Sequence, residues 1–265
     1  MRSRAGRATA LVACLLGSAA MAEAPPCEVE RGEARAVARI ADGETLVLDD
    51  GRRVRLIGAL APRAGDVGAV PGSWPPENET HAALSALVEG QSIVLWHDAV
   101  RSDRYGQALA QVTVGADWLQ GTLVAHGLAR AYGRPGMDAC SEALARLERP
   151  AREQALGLWA NAAYGIRAAN ARQEWDRAAG SFAVVSGTVQ RVSRGRVEVY
   201  LALAPRGQGA YPLAAVVTAS RKDLSGGVEP RALAGRRVIV RGWIEQRRGP
   251  VIIVDSRGQL ELVGE

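Results

Sequence analysis

Five short apolar segments, each four to nine residues long and separated by turn residues, occupy the stretch from Ala34 to Val114. Ala34–Ile40 and Thr45–Leu48 are joined by Asp42-Gly43-Glu44, and Asp50-Gly51 leads into a third run, Arg52–Gly58. Asp-Gly between β-rich runs is a hairpin signal. "SIVLWHDAV" and "QALAQVTV" supply two more strands around the polar turn "RSDRYG". The spacing predicts helices over Glu79–Val88, Asp117–Leu128 and Ser141–Leu156. Five strands in succession, with helices after the third and fifth, predict an OB-type β-barrel with packed helices.

The pattern then restarts. Asn161–Arg177 is rich in Ala and Arg and is expected to be a connecting helix. "FAVVSGTVQRV", "RVEVYLAL", "AAVVTAS", "RRVIVRGWI" and "GPVIIVDS" follow as five short strands. The expected class is mainly β with packed helices (α+β). The expected organisation is a segment over 1–22 to be removed, a first barrel over 23–160, a helical linker over 161–180 and a small OB-like barrel over 181–265.

Residues 1–22 read as a secretory signal. Arg2, Arg4 and Arg7 precede the apolar run "ATALVACLLGSAAMA", and Ala20-Met21-Ala22 fits a cleavage site. The run of 15 residues is shorter than the ~20 apolar residues a membrane span needs. "LVAC" also resembles a lipobox at Cys14, but only six residues separate Arg7 from Cys14, so simple export to the periplasm or medium is preferred to lipidation. Cleavage leaves Cys27 and Cys140, an even pair that an oxidising compartment would bridge. Such a bridge would contribute roughly 4–5 kcal/mol in the chain-entropy account. The other reading is two unpaired thiols; neither is a zinc site, because no His lies near.

Charge is divided unevenly. The whole chain is +5, and without the three leader arginines it is +2. Residues 23–180 are net −4 and residues 181–265 net +6. Long-range attraction for a polyanion, single-stranded nucleic acid included, is therefore expected of the second domain. Tyr200 and Tyr211 lie near Arg194, Arg196 and Arg206, a mixture that can stack and track a strand. Arg236, Arg237, Arg241, Arg247 and Arg248 are placed on solvent faces by strand alternation.

Residues 34–160 carry "IADGETLVL", "RLIGALAPR", "LVEGQSIVL", "DRYGQALAQV", "LVAHGLARAY" and "EQALGLW" in order. In these motifs the chain resembles the staphylococcal nuclease (thermonuclease) family. The resemblance implies a calcium-dependent phosphodiesterase cleaving DNA or RNA on an OB barrel. In that family two carboxylates hold calcium, a Glu activates water, and two arginines hold the phosphate. Calcium takes 6–8 oxygens, and phosphoryl transfer needs fixed positive charge.

Carried over position by position, the turn carboxylate falls on Glu44 and the strand arginine on Arg55. The second calcium carboxylate falls on Leu60, the Thr that lends a backbone oxygen on Ala61, the water-activating Glu on Arg63 and the second arginine on Gln107. The net charge at the five charged family positions changes from −1 to +1. Two unit charges ~4 Å apart repel by roughly 4 kcal/mol at an effective dielectric near 20, so no metal is expected here, Glu44 being a remnant ligand. Pro62, Gly43, Gly58, Tyr105 and Gly106 keep the turns the barrel needs. Arg55 and Arg63 either bind an anion directly or pair with Glu44 and other local acids.

Two functions stay open. One is an exported nuclease-like protein with an impaired site that binds nucleic acid or another anion, or serves as a structural module, with no cofactor. The other is an active calcium-dependent nuclease using Glu44, Arg55 and a further acid, Asp42 or, after a register slip, Asp66. Asp103 matches a flanking family acid. His81, His97 and His126 are scattered and read as packing or surface residues, and Trp159 as a core anchor.

Overall fold

The computed structural model describes residues 23–66, 74–171, 175, 178–205, 213–218, 224 and 228–264. Residues 1–22, Cys14 among them, and Arg206 and Tyr211 lie outside the described residues.

The first domain is a closed five-stranded barrel. β1 (Glu30–Asp42) pairs antiparallel with β2 (Thr45–Leu48), and β2 with β3 (Arg53–Leu56). β5 (Ser92–His97) lies against the other side of β1 and pairs with β6 (Ala108–Val114). β6 runs parallel to β3 and closes the ring. β1 and β3 bury one face each, whereas β2, β5 and β6 are buried on both, and Val37, Leu46, Val54, Ile93 and Val112 meet in the centre.

Among the described residues three helices cover the barrel. α1 (Pro75–Val88) begins four residues before the expected start, with prolines in its first turn, where their missing N–H costs nothing. α2 (Leu119–Ala125) is shorter than expected, because Asp117–Trp118 instead forms β7 on the edge of β6. α3 (Ser141–Glu153) carries Pro150 in its last turn. α1, α2 and α3 contribute Leu84, Leu123 and Leu144 to the barrel core.

Two motif glycines explain how α2 and the end of α3 meet. Gly127 has φ +67°, and a Cβ on it would stand 2.2 Å from the Leu156 carbonyl oxygen. Gly157 faces it with φ +50°, and the Leu158 N–H donates to the Gly127 carbonyl at 2.8 Å. "LVAHGL" and "EQALGL" are thus the two sides of one close backbone crossing. The described residues also contain the Cys27–Cys140 disulfide, which ties the chain ahead of β1 to the start of α3.

A small two-stranded ladder joins β4 (Ala59–Leu60) to β8 (Arg130–Ala131), with Leu60 opposite Arg130. It carries both ion clusters described below.

The second domain is a curled, barrel-like sheet. Its strands are β9 (Arg167–Ala168), β10 (Phe182–Thr188), β11 (Arg191–Arg194), β12 (Glu198–Ala202), β13 (Ala214–Thr218), β14 (Arg237–Gln246), β15 (Pro250–Val254) and β16 (Leu260–Leu262). The order is β11-β12-β13-β15-β14-β10-β9, with β16 on β14. β13 and β15 run parallel, as β3 and β6 do. The expected connecting helix over Asn161–Arg177 is corrected at its centre: Arg167–Ala168 is a strand, paired parallel with Val185 and Ser186 of β10. Pairing with a waiting sheet edge overrides the helix preference of an Ala- and Arg-rich segment.

The two domains share a core. Trp74, Trp159 and Tyr164 pack with Val184 and Phe182 of β10. Trp159 is therefore the anchor its apolar setting predicts. Tyr132 meets Trp243 of β14 edge-on at 5.7 Å. Arg241 is the clearest departure from the expected solvent faces. It is not on a solvent face but 1% exposed, with its guanidinium against Glu148 of α3. Alternation assigns a face; here that face is covered by the other domain.

Candidate functional site

The turn between β1 and β2 builds the site. Asp42 Oδ1 accepts the Glu44 N–H at 2.9 Å, which fixes the turn and aims Glu44 inward. Glu44 is 1% exposed. Its Oε1 accepts the Ala61 N–H at 2.9 Å. Its Oε2 accepts from Arg55 Nη2 at 2.6 Å and from Arg63 Nη2 at 2.8 Å. β3 places Arg55, and the turn after β4 places Ala61, Pro62 and Arg63 around the same carboxylate.

Burial pushes the Glu44 carboxyl up from its ordinary value, against the opposing pull of Arg63, Arg55 and the Ala61 amide. Of the two fates open to these arginines, the structure displays the pairing with Glu44. Both nevertheless keep part of the guanidinium in water, with side-chain exposures of 35% for Arg55 and 50% for Arg63.

Calcium is a poor fit to this donor set. Both Glu44 oxygens already accept three N–H groups, Leu60 is buried and apolar, and Arg63 brings a cation to the position. Among the described residues no group of three or more His, Cys, Asp or Glu side chains is placed to hold a metal ion.

The other candidate acids serve elsewhere. Asp66 lies in the same cleft but accepts from Arg130 Nη2 at 3.0 Å, the Tyr164 hydroxyl at 2.8 Å and the Arg63 N–H at 3.1 Å. Asp103 Oδ1 accepts the N–H groups of Tyr105 and Gln107 and shapes their turn. Gln107 stands just before β6, and no described hydrogen bond joins it to Glu44. His97 and His126 each have Nδ1 on a backbone carbonyl, of Leu109 and Thr122 respectively.

Arg55 and Arg63 open onto a cleft of about 430 Å³ between the domains. Sequence reasoning missed its other cations, Arg130, Arg134 and Arg167, and its aromatic wall of Tyr164, Phe182 and Trp243. Arg130 guanidinium carbon lies 4.7 Å from the Tyr164 ring centre and 5.2 Å from that of Phe182. Arg134 lies 4.2 Å from the Trp243 centre. Burial pushes Arg130 down from its ordinary value, opposed chiefly by Asp66. Arg130 stands within a motif already singled out, "LVAHGLARAY", so its position was visible; the second-domain wall was not.

On the second domain, Tyr200 donates to Glu198, which also accepts from Arg247. Tyr200, Arg191, Arg247 and Arg248 border a groove of about 670 Å³.

The model of the family described as staphylococcal nuclease homologue matches residues 53–161. A thermonuclease of Staphylococcus intermedius is 32% identical over 135 residues, which cover 49% of this chain and 77% of the relative. A thermonuclease of Staphylococcus hyicus is 30% identical over 129 residues, covering 47% and 75%. The family match ends before β10, so the second sheet lies outside it. On its first barrel and these matches, the chain belongs to the staphylococcal nuclease homologue family.

Proposed function

We propose that this protein is an exported, nuclease-like binding module with an impaired catalytic site, taking nucleic acid or another anionic ligand without calcium. One observation carries this: the single acid left at the family's metal position has both oxygens occupied by the Ala61 amide and by Arg55 and Arg63. With Leu60 and Arg63 where the family has acids, metal and water-activating base are lost together, and both act in the same step. The excess of arginine remains, and arginine suits phosphate and carboxylate. Export is supported by the leader-like residues 1–22 and by the Cys27–Cys140 bridge. The basic second domain, with Tyr200 among arginines along its groove, supports contact with single-stranded nucleic acid through residues 181–265.

The relatives' name, thermonuclease, favours the second reading, a calcium-dependent phosphodiesterase. Calcium titration by calorimetry and zymography on single-stranded DNA and RNA separate the two. The module gives no calcium heat and no cleavage, while oligonucleotide binding falls steeply with salt. Calcium binding, or cleavage abolished by Arg55→Ala, establishes the nuclease instead. Leu60→Asp, Arg63→Glu and Gln107→Arg in combination should recreate a calcium site; silence from that triple variant would show that the positions do not correspond.

A further inference from the structure

We propose that the cleft between the two domains is a binding site for a small phosphomonoester, with Arg134 and Arg167 as ligand-holding residues that only the two-domain arrangement brings beside Arg63. The inference rests on the anion-binding reading above and adds the ligand class and the residues that select it.

The charge balance of the cleft comes first. Among the described residues five arginines line it (Arg55, Arg63, Arg130, Arg134 and Arg167), and Asp66 is the single lining carboxylate. Glu44 lies beneath Arg55 and Arg63 and neutralises one more charge. Among these groups three positive charges remain in excess, with Asp255, beyond the lining, also acting on Arg134. Such a concentration of like charge disfavours the folded state unless an anion enters.

The arginines are not equally engaged. Arg55 and Arg63 share one carboxylate oxygen, and Arg130 meets Asp66. Arg134 and Arg167 form no ion pair among the described residues, although both face the cleft. Stacking on Trp243 engages the face of the Arg134 guanidinium and leaves its N–H edges free, since those donors lie in the plane. The same aromatic wall holds Arg130 between Tyr164 and Phe182. Rigid rings thus fix cations whose donors still need acceptors, which lowers the ordering cost of binding.

Charge and size select the ligand. A phosphomonoester carries about −1.5 to −2 at neutral pH and three terminal oxygens. It can take donors from Arg63, Arg134 and Arg167 at once and offsets most of the surplus. A phosphodiester carries one charge and two free oxygens, and a carboxylate has no third oxygen. A cavity of about 430 Å³ is the size of a small-molecule site. The second domain is essential to it: β9 supplies Arg167, β10 Phe182 and β14 Trp243.

The test is calorimetry on the full chain at low salt, titrating inorganic phosphate and phenyl phosphate, then a short oligonucleotide with either a 5′-phosphate or a 5′-hydroxyl. Arg134→Ala and Arg167→Ala should each weaken phosphate and phenyl phosphate about tenfold or more, the loss expected for charge-assisted hydrogen bonds. Their urea midpoints should not fall, since each substitution lowers the like charge in the cleft, and Arg146→Ala, an exposed helix pair with Glu142, should leave binding intact. Preference for phenyl phosphate over either oligonucleotide marks a free small ester, and preference for the 5′-phosphorylated strand marks a chain end; both support the site. Equal binding of both oligonucleotides with no phosphate binding overturns it while leaving the anion-binding module standing. Phosphate binding lost in Arg55→Ala but untouched in Arg134→Ala and Arg167→Ala also overturns it. Absence of all anion binding removes both readings.

Discussion

Two glutamates in this molecule are held in the same way and sit in opposite surroundings. Glu44 gives one oxygen to the Ala61 amide and the other to Arg55 and Arg63. Glu148 gives Oε2 to the Ala131 amide and Oε1 to Arg152 and Arg241. Ala61 follows β4 and Ala131 ends β8, so the clusters flank one two-stranded ladder. Around Glu44 the arginines reach water; around Glu148 they are 4% and 1% exposed. Identical contacts therefore have different consequences. An arginine at the cleft can trade Glu44 for an incoming anion at modest cost, because water or ligand takes over its donors. An arginine beneath the second domain has no such substitute. One cluster stays open to solvent and the other is a lock between domains.

The lock should give the largest effect. Glu148→Gln or Arg241→Ala leaves a buried charge uncompensated, which costs about 3–5 kcal/mol. Glu261 partly cushions the loss, as it also contacts Arg241 and Arg152. Urea unfolding of the full chain measures it. A loss under about 1 kcal/mol in both variants would show that the domains do not depend on this cluster and would erase the contrast.

Glu44→Gln should cost less, about 1–2 kcal/mol, because Arg55 and Arg63 turn to water. It should also strengthen inorganic phosphate binding, since it frees two cations at the cleft. Weaker phosphate binding in this variant would mean that Glu44 positions the arginines rather than competing with ligand.

Acid titration sharpens the contrast by sign. Burial raises the Glu44 carboxyl above its ordinary value, so folding favours the protonated form. Its contribution is fully present below the unfolded value and is lost as pH rises through the raised folded value. Glu261 is the reverse. Burial alone would raise it, but Arg152, Arg241 and Arg149 together hold it below the ordinary value. Its contribution is present above the unfolded value and is lost as pH falls through the lowered one. Between about pH 3 and 7 the stability of parent minus Glu44→Gln should fall with pH, and that of parent minus Glu261→Gln should rise. Slopes of the same sign would show that the two environments do not differ electrostatically.

Much of the first barrel was legible, for a physical reason: local sequence dictates local structure there. The Asp-Gly turns, the strand alternation and the motif glycines all concern neighbours in the chain. The pairing of Arg55 and Arg63 with Glu44 was one of two readings that charge at those positions left open. What escaped depends on contacts between distant segments. Arg241 obeys strand alternation, yet its face is covered by α3, and nothing near it in sequence announces Glu148. Arg167 lies in a segment of helical composition that the edge of β10 captures. The cleft draws its cations from β3, β8 and β9, so no single stretch could display it.

The smallest effect is expected at Arg63, and it tests the comparison most directly. Its side chain is half exposed, and its partner Glu44 keeps Arg55 and the Ala61 amide after its removal. Exposed ion pairs are worth about 0–1 kcal/mol after screening, so Arg63→Ala should shift the urea midpoint barely at all. Arg152→Ala removes the corresponding arginine from Glu148 and should cost several times more, because Glu148 is then left with Arg241 as its one guanidinium partner in a dry interior, while Glu261 keeps Arg241 and Arg149. Measured side by side at low and high salt, the Arg63 effect should shrink with salt and the Arg152 effect should persist, since screening reaches only charges in contact with solvent. Equal costs, or equal salt responses, would mean that the second domain does not shield its cluster from water.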